Sequence, residues 1–148
     1  MEIILAENHG FCYGVKRAVE MANEAADSDG KSYTLGPIIH NPQVVGRLES
    51  KGVSPIQEVS DIDEGTMIIR SHGVGPAIYE EAEEKGLNIL DATCPHVKKA
   101  QQDAKSVIED GMTLVILGEK NHPEVKSINL WANNKGIIIE DEESAKNL

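Results

Sequence analysis

Residues 88–98 read NILDATCPHVK, a short apolar segment that is followed by a cysteine and by the start of a helical stretch. Asn88–Ala92 has the composition of a strand, and Pro95 stands where proline favours the first position of a helix. Three further junctions between a predicted strand and a predicted helix carry a histidine: His40, His72 and His122. This alternation predicts an α/β fold built from parallel βα units, with helices packed on small sheets.

The whole chain follows the same alternation. The predicted strands are Glu2–Ala6, Ser32–Gly36, Thr66–Arg70, Asn88–Ala92, Thr113–Gly118 and Gly136–Glu140. The predicted helices cover Gly14–Ala26, the segment from Pro42 to Lys51, the segment from Pro76 to Gly86, the segment from Pro95 to Asp110, and a segment opened by Pro123. The apolar runs Glu2–Ala6 and Thr113–Gly118 (TLVILG) are typical of buried strands. A boundary after Cys94 would separate a first α/β lobe, residues 1–94, from the start of a second lobe, residues 95–148.

The end of the sequence predicts a further helix. Asp141 is a suitable N-cap, and Glu142 and Glu143 would favour the positive end of the helix dipole. The sequence stops at Leu148, less than two turns later, and an isolated helix of that length is unstable. We therefore expect the chain to be a piece of a longer protein, with its second lobe truncated.

Composition excludes several classes of function. The formal net charge of -11 argues against nucleic-acid binding, which needs a basic face, and the aromatic content of 3% argues against base stacking. No apolar stretch approaches the roughly 20 residues that span a bilayer. The first residues lack the basic and hydrophobic regions of a signal peptide, so we expect no membrane partner and a cytoplasmic location.

The only two cysteines, Cys12 and Cys94, both precede predicted helices. A helix N-terminus stabilises a thiolate, which favours metal ligation or nucleophilic attack. Gly10 and Gly14 flank Cys12 and would let a bulky ligand approach the backbone. Two thiolates do not complete a zinc site, nor a cluster held by four cysteines. A histidine or a ligand beyond Leu148 could complete the set.

The three junction histidines indicate an anion site. Histidines beside helix N-termini add side-chain donors to the free backbone N–H groups that bind phosphate. Glu124, two residues after His122, could donate a proton if its surroundings are partly dry. His122-Pro123-Glu124 also matches part of the zinc deaminase signature, but no cysteine follows Cys94, so that class is excluded.

Five ordered motifs together resemble one family, the LytB/IspH family of hydroxymethylbutenyl diphosphate reductases. They are Gly10-Phe11-Cys12 with Gly14-Val15 and Arg17-Ala18-Val19, Ile39-His40-Asn41, Ser71-His72-Gly73-Val74, Asp91-Ala92-Thr93-Cys94-Pro95 with Val97 and Lys99, and Asn121-His122-Pro123-Glu124-Val125. The resemblance spans nearly the whole chain, but it covers only about the N-terminal half of the family's length. It implies two of the three lobes of the family's fold.

The resemblance implies a function as well as a fold. The family removes the hydroxyl of 4-hydroxy-3-methylbut-2-enyl diphosphate, an allylic diphosphate, and makes isopentenyl and dimethylallyl diphosphate in the non-mevalonate pathway of isoprenoid biosynthesis. Three cysteines hold its [4Fe–4S] cluster, and ferredoxin or flavodoxin supplies electrons. Cys12 and Cys94 would be two of the cluster ligands. His40, His72 and His122 would bind the diphosphate, while His122 and Glu124 would deliver protons.

The chain departs from the family pattern in three respects. The third cysteine and the later Thr and Ser-x-Asn residues of the substrate pocket are absent, and Ser127 and Leu130 stand where glycine is common. We therefore expect this chain alone not to be a competent reductase. Three alternatives stay open: a thiol enzyme with a histidine base, a non-catalytic module that binds a diphosphate, and a zinc protein using both cysteines and two histidines.

Overall fold

The computed structural model, which describes residues 2–7, 9–146 and 148, has six α-helices and six strands, and they alternate except where the third strand follows the second. The helices are α1 (Tyr13–Ala26), α2 (Pro42–Ser50), α3 (Pro76–Glu84), α4 (Pro95–Glu109), α5 (Pro123–Trp131) and α6 (Glu142–Lys146). The strands are β1 (Ser32–Leu35), β2 (Val53–Ile56), β3 (Thr66–Ile69), β4 (Asn88–Asp91), β5 (Val115–Leu117) and β6 (Ile137–Ile139). A short 3₁₀ helix covers Val59–Asp61.

A four-stranded parallel sheet in the order β2-β1-β3-β4 forms the larger part of the fold. The predicted α/β class is therefore confirmed, as are five of the six predicted strands, each within two residues at either end. Strand β2 was not expected, because it contains Pro55. Proline cannot donate to a sheet ladder, but β2 lies at the edge of the sheet, where this loss is tolerated.

Strand β3 joins two hydrophobic clusters on opposite faces of this sheet. Its apolar residues are fully buried, and successive side chains of a strand point to opposite faces. Ile68 packs with the buried faces of α1 and α2, whereas Met67 and Ile69 pack with Ala82 of α3 and with Leu87. Helices thus cover both faces of the sheet, as expected for parallel strands.

Strands β5 and β6 form a separate two-stranded parallel sheet. The predicted strand at Thr113–Gly118 is present, but the prediction that it is buried is wrong. Val115 is 45% exposed and Leu117 is 79% exposed, and only Ile116 between them is buried. The reason is that one face of this short strand packs inward while the other face is open. The boundary after Cys94 falls between the last strand of the larger sheet and α4, and it stays a prediction.

The predicted strand at Glu2–Ala6 is wrong. Residues 2–7 form no strand, and Ile3, Ile4 and Leu5 are 74%, 83% and 78% exposed. An apolar run becomes a strand only where a neighbouring strand takes up its backbone hydrogen bonds, and within the described residues none does so. At the other end of the chain, the predicted cap of α6 is confirmed, since Asp141 Oδ1 accepts from the backbone N–H of Ser144 at 2.8 Å.

None of the helices in the described ranges has both the length and the apolar character that crossing a membrane requires.

Candidate functional site

The carboxyl ends of β1, β3 and β4 lie side by side, since Leu35 pairs with Ile69 and Ile69 pairs with Asp91. His40, His72 and Cys94 follow these three strand ends. The open edge beyond the carboxyl ends of parallel strands is where ligands bind in α/β folds. The strand register therefore places these three residues at the same edge of the larger sheet. Cys12 is different, because no strand precedes it among the described residues.

The three junction histidines form one cluster. The ring centroids of His40 and His72 are 4.5 Å apart, and those of His72 and His122 are 6.2 Å apart. His72 lies in the middle and is buried, whereas His122 is half-buried and His40 is exposed. The sequence placed these residues at separate junctions, and the fold brings them together, so the predicted histidine site has the required proximity.

The surroundings of His72 keep its imidazole neutral. Burial lowers the pKa of His72 to about 4, and the positive charges of His40, Arg70 and His122 add to this effect. Both causes disfavour the imidazolium, because it would be a poorly solvated cation among other cations. Nδ1 of His72 is buried and has no hydrogen-bond partner among the described residues. A bound anion would supply the missing negative charge and an acceptor for a hydrogen bond.

His122 caps α5 with its own side chain. The backbone N–H of Glu124 donates to His122 Nδ1 at 3.3 Å, so in the neutral ring the proton lies on Nε2. A donor nitrogen therefore remains available for a ligand. Glu124 is half-buried in the first turn of α5, two residues from this imidazole, so the predicted pair of proton-carrying groups lies on one helix start.

A buried polar network fixes the histidine cluster to α4 and α5. Ser127 Oγ lies 2.8 Å from the carbonyl oxygen of His72 and accepts from Gln101 Nε2 at 3.3 Å. Trp131 Nε1 donates to the carbonyl oxygen of Val74 at 2.9 Å. These contacts tie the loop that carries His72 to two helices of the second half of the chain. Sequence reasoning did not identify Gln101 or Ser127 as partners of this loop, because hydrogen bonds between distant segments leave no local pattern.

The two cysteines occupy equivalent positions. Cys12 is the N-cap of α1 and Cys94 the N-cap of α4, and neither thiol makes a side-chain capping hydrogen bond. Cys12 is exposed and Cys94 is half-buried. The first turn of α1 packs closely against Cys94. A Cβ added at Gly14 would be only 2.5 Å from Cys94 Sγ. The backbone N–H of Cys94 donates to the carbonyl oxygen of Ser71 at 2.9 Å, which fixes Cys94 beside the histidine loop.

Arg17 connects the two cysteine-bearing segments. Its guanidinium donates to the carbonyl oxygens of Thr93 at 3.2 Å and Asp91 at 3.4 Å. Arg17 belongs to the first of the five motifs, and its spacing in the sequence indicates no role. Its contacts now explain its position: Arg17 lies on α1, one turn after Cys12, and reaches across to the loop that ends at Cys94.

The two thiols are of the right chemical type to bind a metal cluster, but two are too few to complete its set of ligands. Both are free sulfur donors at helix N-termini. Nevertheless, within the part of the chain that the structure describes, no group of three or more His, Cys, Asp or Glu side chains is arranged to hold a metal ion. The zinc alternative, with two cysteines and two histidines around one ion, is not supported by this geometry.

Comparison with known proteins identifies the family of the chain. The family model described as LytB protein matches residues 3–148. The 4-hydroxy-3-methylbut-2-enyl diphosphate reductases of Geotalea uraniireducens and Geobacter metallireducens are 52% and 51% identical over 99% and 100% of this chain, which covers 52% of each relative. The chain thus spans about half the length of the curated relatives that it matches.

Solved structures give the same result. A structure of (E)-4-hydroxy-3-methyl-but-2-enyl diphosphate reductase, the terminal enzyme of the non-mevalonate pathway, matches 98% of this chain with a TM-score of 0.84 and 48% identity, and the match covers 53% of that protein. The corresponding reductase from Plasmodium falciparum matches 96% of the chain with a TM-score of 0.91 and 32% identity, over 45% of its length. On its sequence and its fold, this chain belongs to the LytB protein family.

Proposed function

We propose that this chain is the part of a 4-hydroxy-3-methylbut-2-enyl diphosphate reductase that binds the diphosphate of the substrate and contributes two of the cluster ligands. The observation that carries the proposal is the histidine cluster, in which a buried neutral His72 lies between His40 and His122. Relatives that are 52% and 51% identical to this chain, over about half of their own length, bear the name of that reductase.

The histidines would bind the diphosphate as a group. An anion beside them reverses the electrostatic penalty that now lowers the pKa of His72, so binding and proton uptake would support each other. His122 would donate from Nε2, since Nδ1 accepts from the backbone of Glu124. Glu124, at the start of the same helix, would pass a proton toward the substrate together with His122.

Cys12 and Cys94 would hold part of a [4Fe–4S] cluster, which supplies electrons to the reaction when it is bound. Their role in this chain is to present thiolates at two helix N-termini, and Arg17 and Gly14 keep the two helix starts close. Ferredoxin or flavodoxin would be the electron donor, as the family resemblance implies, and the cytoplasm would be the location.

Titration calorimetry with inorganic pyrophosphate at neutral pH tests the diphosphate site. We expect His40→Ala, His72→Ala and His122→Ala each to weaken binding roughly tenfold or more, because each removes a hydrogen bond to a charged group. His96→Ala is the matched control, since His96 is exposed and outside the cluster. Equal affinities in all four variants would contradict the proposal.

The incomplete cysteine set also favours a second candidate, a diphosphate-binding module without catalysis. Anaerobic reconstitution with iron and sulfide separates the two. If the chain by itself gives stable absorption like that of a [4Fe–4S] protein and turns over substrate, then both the module and our expectation of an inactive chain are wrong. If pyrophosphate binds without either property, the chain alone acts as a binding module.

A further inference from the structure

A second cavity lies next to the histidine cluster but does not include it. It has a volume of about 430 Å³, which is within the range of sites for small organic ligands. None of the three histidines lines it. The two sites share a wall at Ser127, whose hydroxyl lines the cavity and lies 2.8 Å from the carbonyl oxygen of His72.

The charged residues that line this cavity are both cationic. They are Arg70 and Lys126, the polar residues Gln57 and Asn121 also line it, and no Asp or Glu of the described residues does so. This is unusual for a chain with 25 acidic and 14 basic residues. A positive pocket in a protein of net charge -11 concentrates anions locally, against the overall charge of the molecule.

The guanidinium of Arg70 has no partner that neutralises it. Arg70 is half-buried and forms no ion pair or side-chain hydrogen bond with the described residues, and its Nε is both buried and unpartnered. The Arg70 side chain lies directly against Gly36. A Cβ added at Gly36 would be only 2.9 Å from Nη1 of Arg70. Taking a charge out of water without a partner is costly, so a bound anion would recover free energy at this position.

Other residues that line the cavity are apolar. They include Leu35, Ile78 and Leu130, and Leu130 is 42% exposed. Leu130 packs against Gly75, where an added Cβ would be 2.8 Å from its Cδ1. A ligand that matches both the cationic and the apolar residues therefore needs an anionic head and a short hydrocarbon chain.

We infer that this cavity, which is lined by the cationic Arg70 and Lys126 and by the apolar Leu35, Ile78 and Leu130, binds an alkyl phosphate ester at a site distinct from the histidine cluster. The inference does not depend on the proposed function, because it uses none of the histidine or cysteine residues.

Titration calorimetry with n-hexyl phosphate and with inorganic phosphate tests the inference on the purified chain. Hexyl phosphate should bind roughly tenfold more tightly than phosphate, because its methylene groups leave water. Arg70→Met should weaken its binding roughly tenfold or more, and Lys126→Met, at an exposed position, only about threefold. Equal affinity of the wild type and Arg70→Met would overturn the inference.

Two control variants locate the site. Lys120→Met removes a lysine that does not line this cavity, and His40→Ala removes an exposed member of the histidine cluster. Lys120→Met should bind hexyl phosphate within about twofold of the wild type, and His40→Ala should lose clearly less affinity than Arg70→Met. A loss in His40→Ala that equals the loss in Arg70→Met would instead assign the phosphate to the histidines, and the separate site would be wrong.

Amide chemical shifts of the wild type give a test that needs no variant to fold. Addition of hexyl phosphate should move the signals of Gly36, Gly73 and Gly75, which line the cavity. Changes that are confined to the loop around His40 would overturn the inference.

Discussion

His72 shows at the scale of single residues how surroundings decide the chemistry of a side chain. The imidazole is buried between His40 and His122, and Arg70 adds a further positive charge nearby. A histidine with an ordinary pKa would be partly protonated near pH 6.5. Here the pKa is lowered to about 4, so the ring is neutral at neutral pH.

This shift predicts how stability depends on pH. In the unfolded chain His72 has a pKa of roughly 6.5, and in the folded chain its pKa is about 4. Between these two pH values the unfolded chain binds a proton at His72 that the folded chain does not bind. The free energy of unfolding should therefore fall as the pH is lowered from 6.5 to 4, by on the order of 2–3 kcal/mol from this residue alone. Urea unfolding at pH 7 and pH 4.5 measures the effect.

The contribution of His72 is separated from that of the carboxylates by comparing variants. His72→Gln should lose part of the dependence between these pH values, whereas His96→Gln, at an exposed histidine, should keep all of it. If both variants show the same slope as the wild type, then His72 is not held neutral in the folded protein.

At the scale of elements, the start signals for helices were the most reliable part of the sequence. Proline follows the N-cap in α2, α3, α4 and α5, and each of these helices begins at the predicted residue. These signals act through local backbone geometry, so they can be found without the fold. Strands depend on distant partners. Strand β2, which contains Pro55, was not predicted. The apolar run at Glu2–Ala6 was predicted as a strand, but among the described residues it has no adjacent strand to pair with.

The candidate site was predictable to the same extent. His40, His72 and Cys94 were identified because the end of a strand is a local signal and parallel strands end at one edge. The partners that hold them were not predictable: Gln101 and Ser127 reach the histidine loop from other helices. Their contacts exist only after tertiary packing, so no spacing in the sequence reports them.

The close approach of α1 to the start of α4 depends on the absence of a side chain at Gly14. A Cβ at this position would be 2.5 Å from Cys94 Sγ and 2.9 Å from Cys94 Cβ, and the second contact cannot be relieved by rotating the thiol. We expect Gly14→Ala to lower the free energy of unfolding by about 1–3 kcal/mol, since the helices must separate. Urea denaturation measures this change.

Gly46 in α2 is the matched control for this substitution. A Cβ at Gly46 meets nothing within 4 Å, so Gly46→Ala should stabilise the chain by roughly 0.5–1 kcal/mol through helix propensity alone. If Gly14→Ala is stabilising to the same degree, then α1 does not approach Cys94 as closely as described.

At the scale of the whole molecule, charge and exposed apolar surface oppose each other. A net charge of -11 keeps copies of the chain apart, whereas the smaller sheet leaves Val115, Leu117 and Ile137 exposed. Exposed apolar patches of this kind promote association when nothing covers them. Salt screens the repulsion but not the apolar attraction, so the balance should shift toward association as ionic strength rises.

We therefore predict that the chain self-associates in high salt and that Leu117→Glu weakens this association. Leu117 is 79% exposed, so the substitution removes apolar surface without opening the core. Gln102→Glu, at an exposed position of α4, adds the same charge without removing apolar surface, and it should change association far less. Sedimentation velocity at low and high salt measures both variants. If the two reduce association equally, then net charge controls it and the exposed face of β5 has no part in it.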